Sequence, residues 1–197
     1  MARIRRILLA FAVVASGAFA AQPAGDVFDF IPPGGRTLLA KVFAARPSAD
    51  AMRGVVNGKR SAEEWAAYLR ANEKTLAAVQ RLDDKERRTL SDYLAANMPL
   101  AASKVPADLS KAAWDKLLPP DGRDFVLEYC QSCHIITVVI TQDRAKSAWL
   151  GTMNKPSHVQ VKLSSEQRDA LANYLIVNAA IPIDQVPEEL RAGGATY

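Results

Sequence analysis

Leu171-Ala172-Asn173-Tyr174-Leu175-Ile176-Val177-Asn178, preceded by Ser164-Ser165-Glu166-Gln167, decides the fold class of this chain. Leucine, tyrosine and leucine at i, i+3 and i+4 form an apolar stripe on an otherwise polar segment, the signature of an amphipathic helix. Ser164 with Gln167 three residues on is a capping-box start. The same sentence is written earlier in the chain: Leu90-x-x-Tyr93-Leu94-x-x-Asn97, opened by Asp83-x-x-Glu86. Each copy ends near a proline, Pro99 or Pro182, which cannot continue a helix. The fold class read from the sequence is therefore all-α.

Working outward, the repetition extends to most of the chain. Ile31-Pro32-Pro33-Gly34-Gly35-Arg36 is answered by Leu118-Pro119-Pro120-Asp121-Gly122-Arg123. Arg60 and Trp65 are matched by Arg144 and Trp149 at the same spacing of five, and Val105-Pro106-x-x-Leu109 by Val186-Pro187-x-x-Leu190. Five matches in one order predict a tandem pair of helical units, placed at 27–110 and 115–192. The paired prolines mark the turn into each unit. Trp114 is expected at their junction. The β-branched run Val138-Val139-Ile140 is expected as loop or extended chain.

The copies differ where chemistry is concerned. In the second unit stands Cys130-Gln131-Ser132-Cys133-His134, where the first has Ala44-Ala45-Arg46-Pro47-Ser48. Two cysteines three apart with histidine directly after the second form the attachment pattern for c-type haem. On a helical turn Cys130 and Cys133 share a face, so both sulfurs can add to one porphyrin, and His134 can reach the iron from the proximal side. A redox dithiol would want a βαβ context, which the sequence lacks. A zinc site wants four ligands and would consume both cysteines and both histidines of the chain. The expected cofactor is one covalent haem c, held by the second unit alone.

The first twenty residues read as an export signal. Arg3, Arg5 and Arg6 precede an apolar run from Ile7 to Val14, and Ala18-Phe19-Ala20 offers a small-x-small cleavage site. An uncleaved anchor is the alternative, but no later segment is long and apolar enough to span a membrane. Removing residues 1–20 lowers the 25 basic residues to 22, against 21 acidic ones, so there is no nucleic-acid footprint. The expected location is the periplasm.

On the Pro-Pro-x-Gly-Arg entry, the CxxCH motif, Arg144, Trp149 and the closing Leu-x-x-Tyr-Leu helix, residues 118–180 resemble the small cytochrome c domains that accompany periplasmic dehydrogenases. Examples are sulfite dehydrogenase cytochrome subunits and the haem domain of quinohaemoprotein amine dehydrogenases. Residues 31–100 look like a haem-less relative. The resemblance implies transfer of single electrons between a dehydrogenase and a downstream acceptor, an electron carrier rather than a catalyst.

In that group an axial methionine usually follows the tryptophan by seven residues; here that position is Pro156. Met153, one turn earlier, and His158, two residues later, are the candidate sixth ligands, with an open site as the third possibility. An open site would suit a haem-based sensor or a peroxidase-like enzyme. Trp149 is a candidate for the porphyrin edge and Arg144 for a propionate, although Trp65 and Arg60 in the haem-less copy favour a structural role for both. A structural subunit with incidental haem is the weakest reading.

Overall fold

The computed structural model describes residues 26–158 and 161–191, so the expected export signal lies outside the described residues. The chain is helical, with no strand among the described residues. The first half contains α1 (Gly35–Ala44), α2 (Ala49–Val56), α3 (Ala62–Ala71) and α4 (Asp84–Asn97). The second half contains α5 (Trp114–Leu117), α6 (Gly122–Phe125), α7 (Thr137–Ile140), α8 (Lys146–Met153) and α9 (Ser165–Asn178).

Both capping boxes form as the sequence specifies. The Glu86 N–H donates to Asp83 Oδ1 at 2.8 Å and the Asp83 N–H to Glu86 Oε2 at 3.0 Å. At α9 the Gln167 N–H donates to Ser164 Oγ at 3.2 Å and the Ser164 N–H to Gln167 Oε1 at 2.8 Å. Each cap satisfies otherwise orphaned N–H groups and is worth about 1 kcal/mol.

Two apolar cores result. Leu38 and Val42 of α1, Trp65 of α3 and Leu90 and Leu94 of α4 are buried in the first. Phe125, Ile136, Ile140, Trp149, Leu171 and Leu175 are buried in the second. The segments that lead into the halves exchange cores: Ile31 is buried in the second core, whereas Leu118 is buried in the first. Trp114, expected at the junction, instead lies in the first core, 4.6 Å from the Phe43 ring, with its indole N–H on the Leu109 carbonyl.

The exchange is stitched by reciprocal polar contacts. Tyr93 Oη donates to the Pro119 carbonyl at 2.9 Å, and Tyr174 Oη to the Pro32 carbonyl at 2.6 Å. Arg36 donates to the Asp115 carbonyl at 3.4 Å, and Arg123 to the Phe28 carbonyl at 3.0 Å. Gly35 and Gly122 allow the close approach: a Cβ on either would collide with the Cβ of Tyr93 or Tyr174. Helices α4 and α9 pack on each other, and the buried Asn178 donates to Thr89 Oγ1 at 2.8 Å across the seam.

Asp121 sits in this junction, 4% exposed. Its carboxylate accepts the Arg36 N–H of α1 at 2.7 Å and the Asp124 N–H of α6 at 3.1 Å, so one side chain caps two helices. Gly34 holds the matching place in the first half, and a side chain there would overlap the Asp121 carboxylate.

The β-branched run is helical, contrary to expectation. Ile136 and Ile140, four apart, are both buried in the second core, so helical spacing serves both side chains. Thr141 Oγ1 donates to the Thr137 carbonyl at 2.7 Å, which closes the turn. The chain after each long helix then returns in the same way. The Leu100 N–H bonds the Val56 carbonyl at 2.8 Å, and the Ile181 N–H bonds that of Ile140 at 3.0 Å.

Candidate functional site

Helix α6 continues into one π-helical turn, Val126–Cys130, a geometry that recurs at functional positions. That turn ends on Cys130, and the next is closed by the His134 N–H on the Cys130 carbonyl at 3.1 Å. Ser132 Oγ donates to the Tyr129 carbonyl at 2.7 Å and fixes the crossover. Cys130 is half-buried and Cys133 exposed; neither is in a disulfide. Burial, with a smaller contribution from Cys133, pushes the Cys130 thiol up to about 11, so it is a protonated thiol at neutral pH.

A cavity of about 690 Å³ opens beside this turn. Every residue nominated from the sequence lines it: Cys130, Cys133, His134, Arg144, Trp149, Met153 and His158. Val138, Val139, Leu171 and Leu175 supply apolar wall, and the charged residues on the lining, Arg144, Lys155 and Arg168, are all basic. A groove of about 770 Å³ lies against α1 and Trp114 in the first half, but its lining holds no cysteine or histidine.

The two histidines face one another. Their ring centroids are 6.1 Å apart with 30° between the planes, too far for a direct contact. An imidazole nitrogen binds a metal at about 2.0–2.1 Å, and the ring centre lies about 1.1 Å further back, so two imidazoles on one metal stand about 6 Å apart. His158 is carried on the short turn Pro156–His158, with its Nδ1 3.1 Å from Ser157 Oγ. Met153 also lines the cavity, and its side chain packs against the second core. No cluster of three or more histidine, cysteine or acidic side chains suited to a metal occurs among the described residues.

Arg144 is exposed, its guanidinium 5.2 Å from the Trp149 ring and donating to Thr152 Oγ1 and Gln142 Oε1, each at 3.2 Å. The indole N–H of Trp149 is buried without a partner. The first half reproduces both features. Arg60 lies 4.5 Å from the Trp65 ring, and the Trp65 indole N–H is likewise unpartnered. The orphan N–H therefore does not by itself argue for a ligand.

What differs in the first half is the space. Arg60 is sandwiched between Trp65 and Tyr68, 4.2 Å from the latter ring, and the Tyr68 hydroxyl covers Gly54. Counted from Arg36 and Arg123, the place of Cys130 is taken by Phe43, which is buried. Counted from the tryptophans, the place of Met153 is taken by buried Leu69.

One residue was overlooked in the sequence. Arg168 of α9 lines the cavity and donates to three carbonyls of the segment that carries His158. The repeat itself held the signal, because Arg87 stands at the same position after Asp83 as Arg168 after Ser164.

No helix among the described residues is long and apolar enough to cross a membrane. Comparison with protein-family models, with curated proteins and with solved structures yields no match.

Proposed function

We propose that this chain is a c-type cytochrome that carries single electrons through one haem, attached by thioethers at Cys130 and Cys133. The observation that carries the reading is the convergence of Cys130, Cys133, His134 and His158 on one apolar-walled cavity, with the two imidazoles 6.1 Å apart. The volume falls within the usual range of cofactor sites, about 300–1,000 Å³. The donor set fits: two thiols at attachment spacing and two imidazoles at the separation one metal requires.

When bound, the haem supplies a one-electron Fe(III)/Fe(II) couple. The chain's residues hold and tune it. Cys130 and Cys133 fasten the macrocycle, His134 serves as proximal ligand and His158 as distal ligand, with Met153 as apolar wall. Val138, Val139, Leu171 and Leu175 exclude water. Arg144 and Lys155 offer positive charge to the propionates. A second imidazole in place of a thioether holds the potential lower than a methionine ligand would.

The first half is a haem-less relative of the second. Its corresponding space is filled by Arg60, Tyr68 and Phe43, and its role is to buttress the haem-bearing half through the exchanged segments. The electron donor fitting this reading is a periplasmic dehydrogenase, reached after export on residues 1–20.

The test is an optical spectrum of the purified holoprotein and of His158→Ala. The wild type should be low-spin and unaltered by CO after reduction. His158→Ala should become high-spin and bind CO. An unchanged His158→Ala spectrum would remove His158 as ligand and pass the role to Met153. A wild-type haem that is high-spin and binds CO would favour a small-ligand sensor or peroxidase-like function.

A further inference from the structure

We infer that Arg168 is the positioning residue of the distal side: it clasps both flanks of the segment bearing His158 and so holds the sixth ligand in place. This rests on the haem reading above and deepens it.

The geometry is specific to a guanidinium. Nη1 donates to the Met153 carbonyl at the end of α8, at 2.5 Å. Nη2 donates to the Val161 carbonyl at 2.8 Å, and Nε to that of Leu163 at 3.3 Å, both on the far side of His158. The chain enters and leaves the histidine turn between those anchors. The His158 N–H bonds the Lys155 carbonyl at 2.8 Å, and the Val161 N–H bonds the His158 carbonyl at 3.1 Å. A planar fork with fixed N–H directions sets the relative positions of three carbonyls at once, which a lysine ammonium on its flexible stem cannot do.

Arg168 makes no ion pair among the described residues, so nothing acidic competes for its N–H groups. The first half supplies an internal comparison. Arg87 makes the same stem contact, Nε to the Leu82 carbonyl at 3.0 Å, but its Nη1 goes to the Glu73 carboxylate at 2.5 Å. That arginine is a helix-start brace with an acidic partner. In the second half the acid is absent and the fork closes on the backbone around a histidine.

The test compares Arg168→Met, Arg168→Lys and Arg87→Met in the holoprotein by optical spin state and CO association after reduction. Arg168→Met should convert most of the haem to high spin and raise the CO association rate at least about tenfold, because the ligand-free state becomes populated. Added imidazole should restore the low-spin spectrum, since the iron site itself is intact. Arg168→Lys should lie between wild type and Arg168→Met, and Arg87→Met should leave the spectrum unchanged.

A wild-type spectrum in Arg168→Met, or the same change in Arg87→Met as in Arg168→Met, would overturn the assignment. A wild-type haem that is already high-spin would also overturn it. Pyridine haemochrome on the denatured variants reports covalent attachment separately, so loss of the clasp and failure of the haem reading give different results.

Discussion

Asp121→Ala removes the single side chain that caps two helices in the junction between the halves. Two lost caps amount to about 2 kcal/mol at about 1 kcal/mol each. The Arg36 N–H then loses its acceptor, and a buried donor left unpaired adds about 1–3 kcal/mol. Against this, Ala removes a carboxylate whose charged form burial disfavours, so the net loss expected at pH 7 is about 2–3 kcal/mol. That is a large share of a typical domain stability of about 5–15 kcal/mol. Urea unfolding should show it as a lower midpoint with little change in slope.

The pH dependence gives the sharper result. Burial, followed by the neighbouring Asp124 carboxylate, raises the Asp121 pKa in the folded protein. A raised folded pKa means that protonation favours the folded state. The contribution is complete below the unfolded value of about 3.9 and is lost as pH rises through the folded value. The stability gap between wild type and Asp121→Ala should therefore widen from pH 7 toward about pH 4.5. A gap that narrows on acidification would mean that Arg36 and the two N–H groups hold the carboxylate ionised, and would refute the reasoning. A gap below about 0.5 kcal/mol at both pH values would refute the double cap itself.

Two further predictions concern the seam and the thiols. Tyr93→Phe and Tyr174→Phe should each lower stability by about 1 kcal/mol, because each deletes one cross-half hydrogen bond to a proline carbonyl. A loss confined to one of the two in parallel urea titrations would contradict their equivalence. In chain made without haem, iodoacetamide should modify exposed Cys133 well before Cys130 at pH 8, as read by peptide mass mapping. Labelling of Cys130 should keep rising as pH climbs toward about 11, where its thiolate forms; equal labelling at pH 8 would contradict its burial.

Local patterns were legible in the sequence and exchanges across the molecule were not. The capping boxes at Asp83 and Ser164 and the Leu/Tyr/Leu stripes are written within one or two helical turns, so periodicity finds them. The convergence of Cys130 with His134 follows from motif spacing, and Met153 and His158 lie close to Trp149 in sequence. By contrast, nothing in the residues around Ile31 or Trp114 says that each packs on the core it does, because that depends on two halves meeting. Val138 to Ile140 misled because β-branching is a weak preference, and burying Ile136 and Ile140 together outweighs it. Arg168 escaped because a basic residue in the first turns of a helix ordinarily reads as solvated surface.

The attachment of porphyrin to the pentapeptide is tested most directly by the mass of mature protein expressed with its export segment under conditions that support haem attachment. The protein is denatured beforehand and compared with Cys130→Ala/Cys133→Ala. The account predicts that the wild-type chain is heavier by one haem and keeps a pyridine-haemochrome spectrum through denaturation, while the double variant shows neither. A wild-type chain of bare polypeptide mass, with both thiols free or joined to each other, would contradict it.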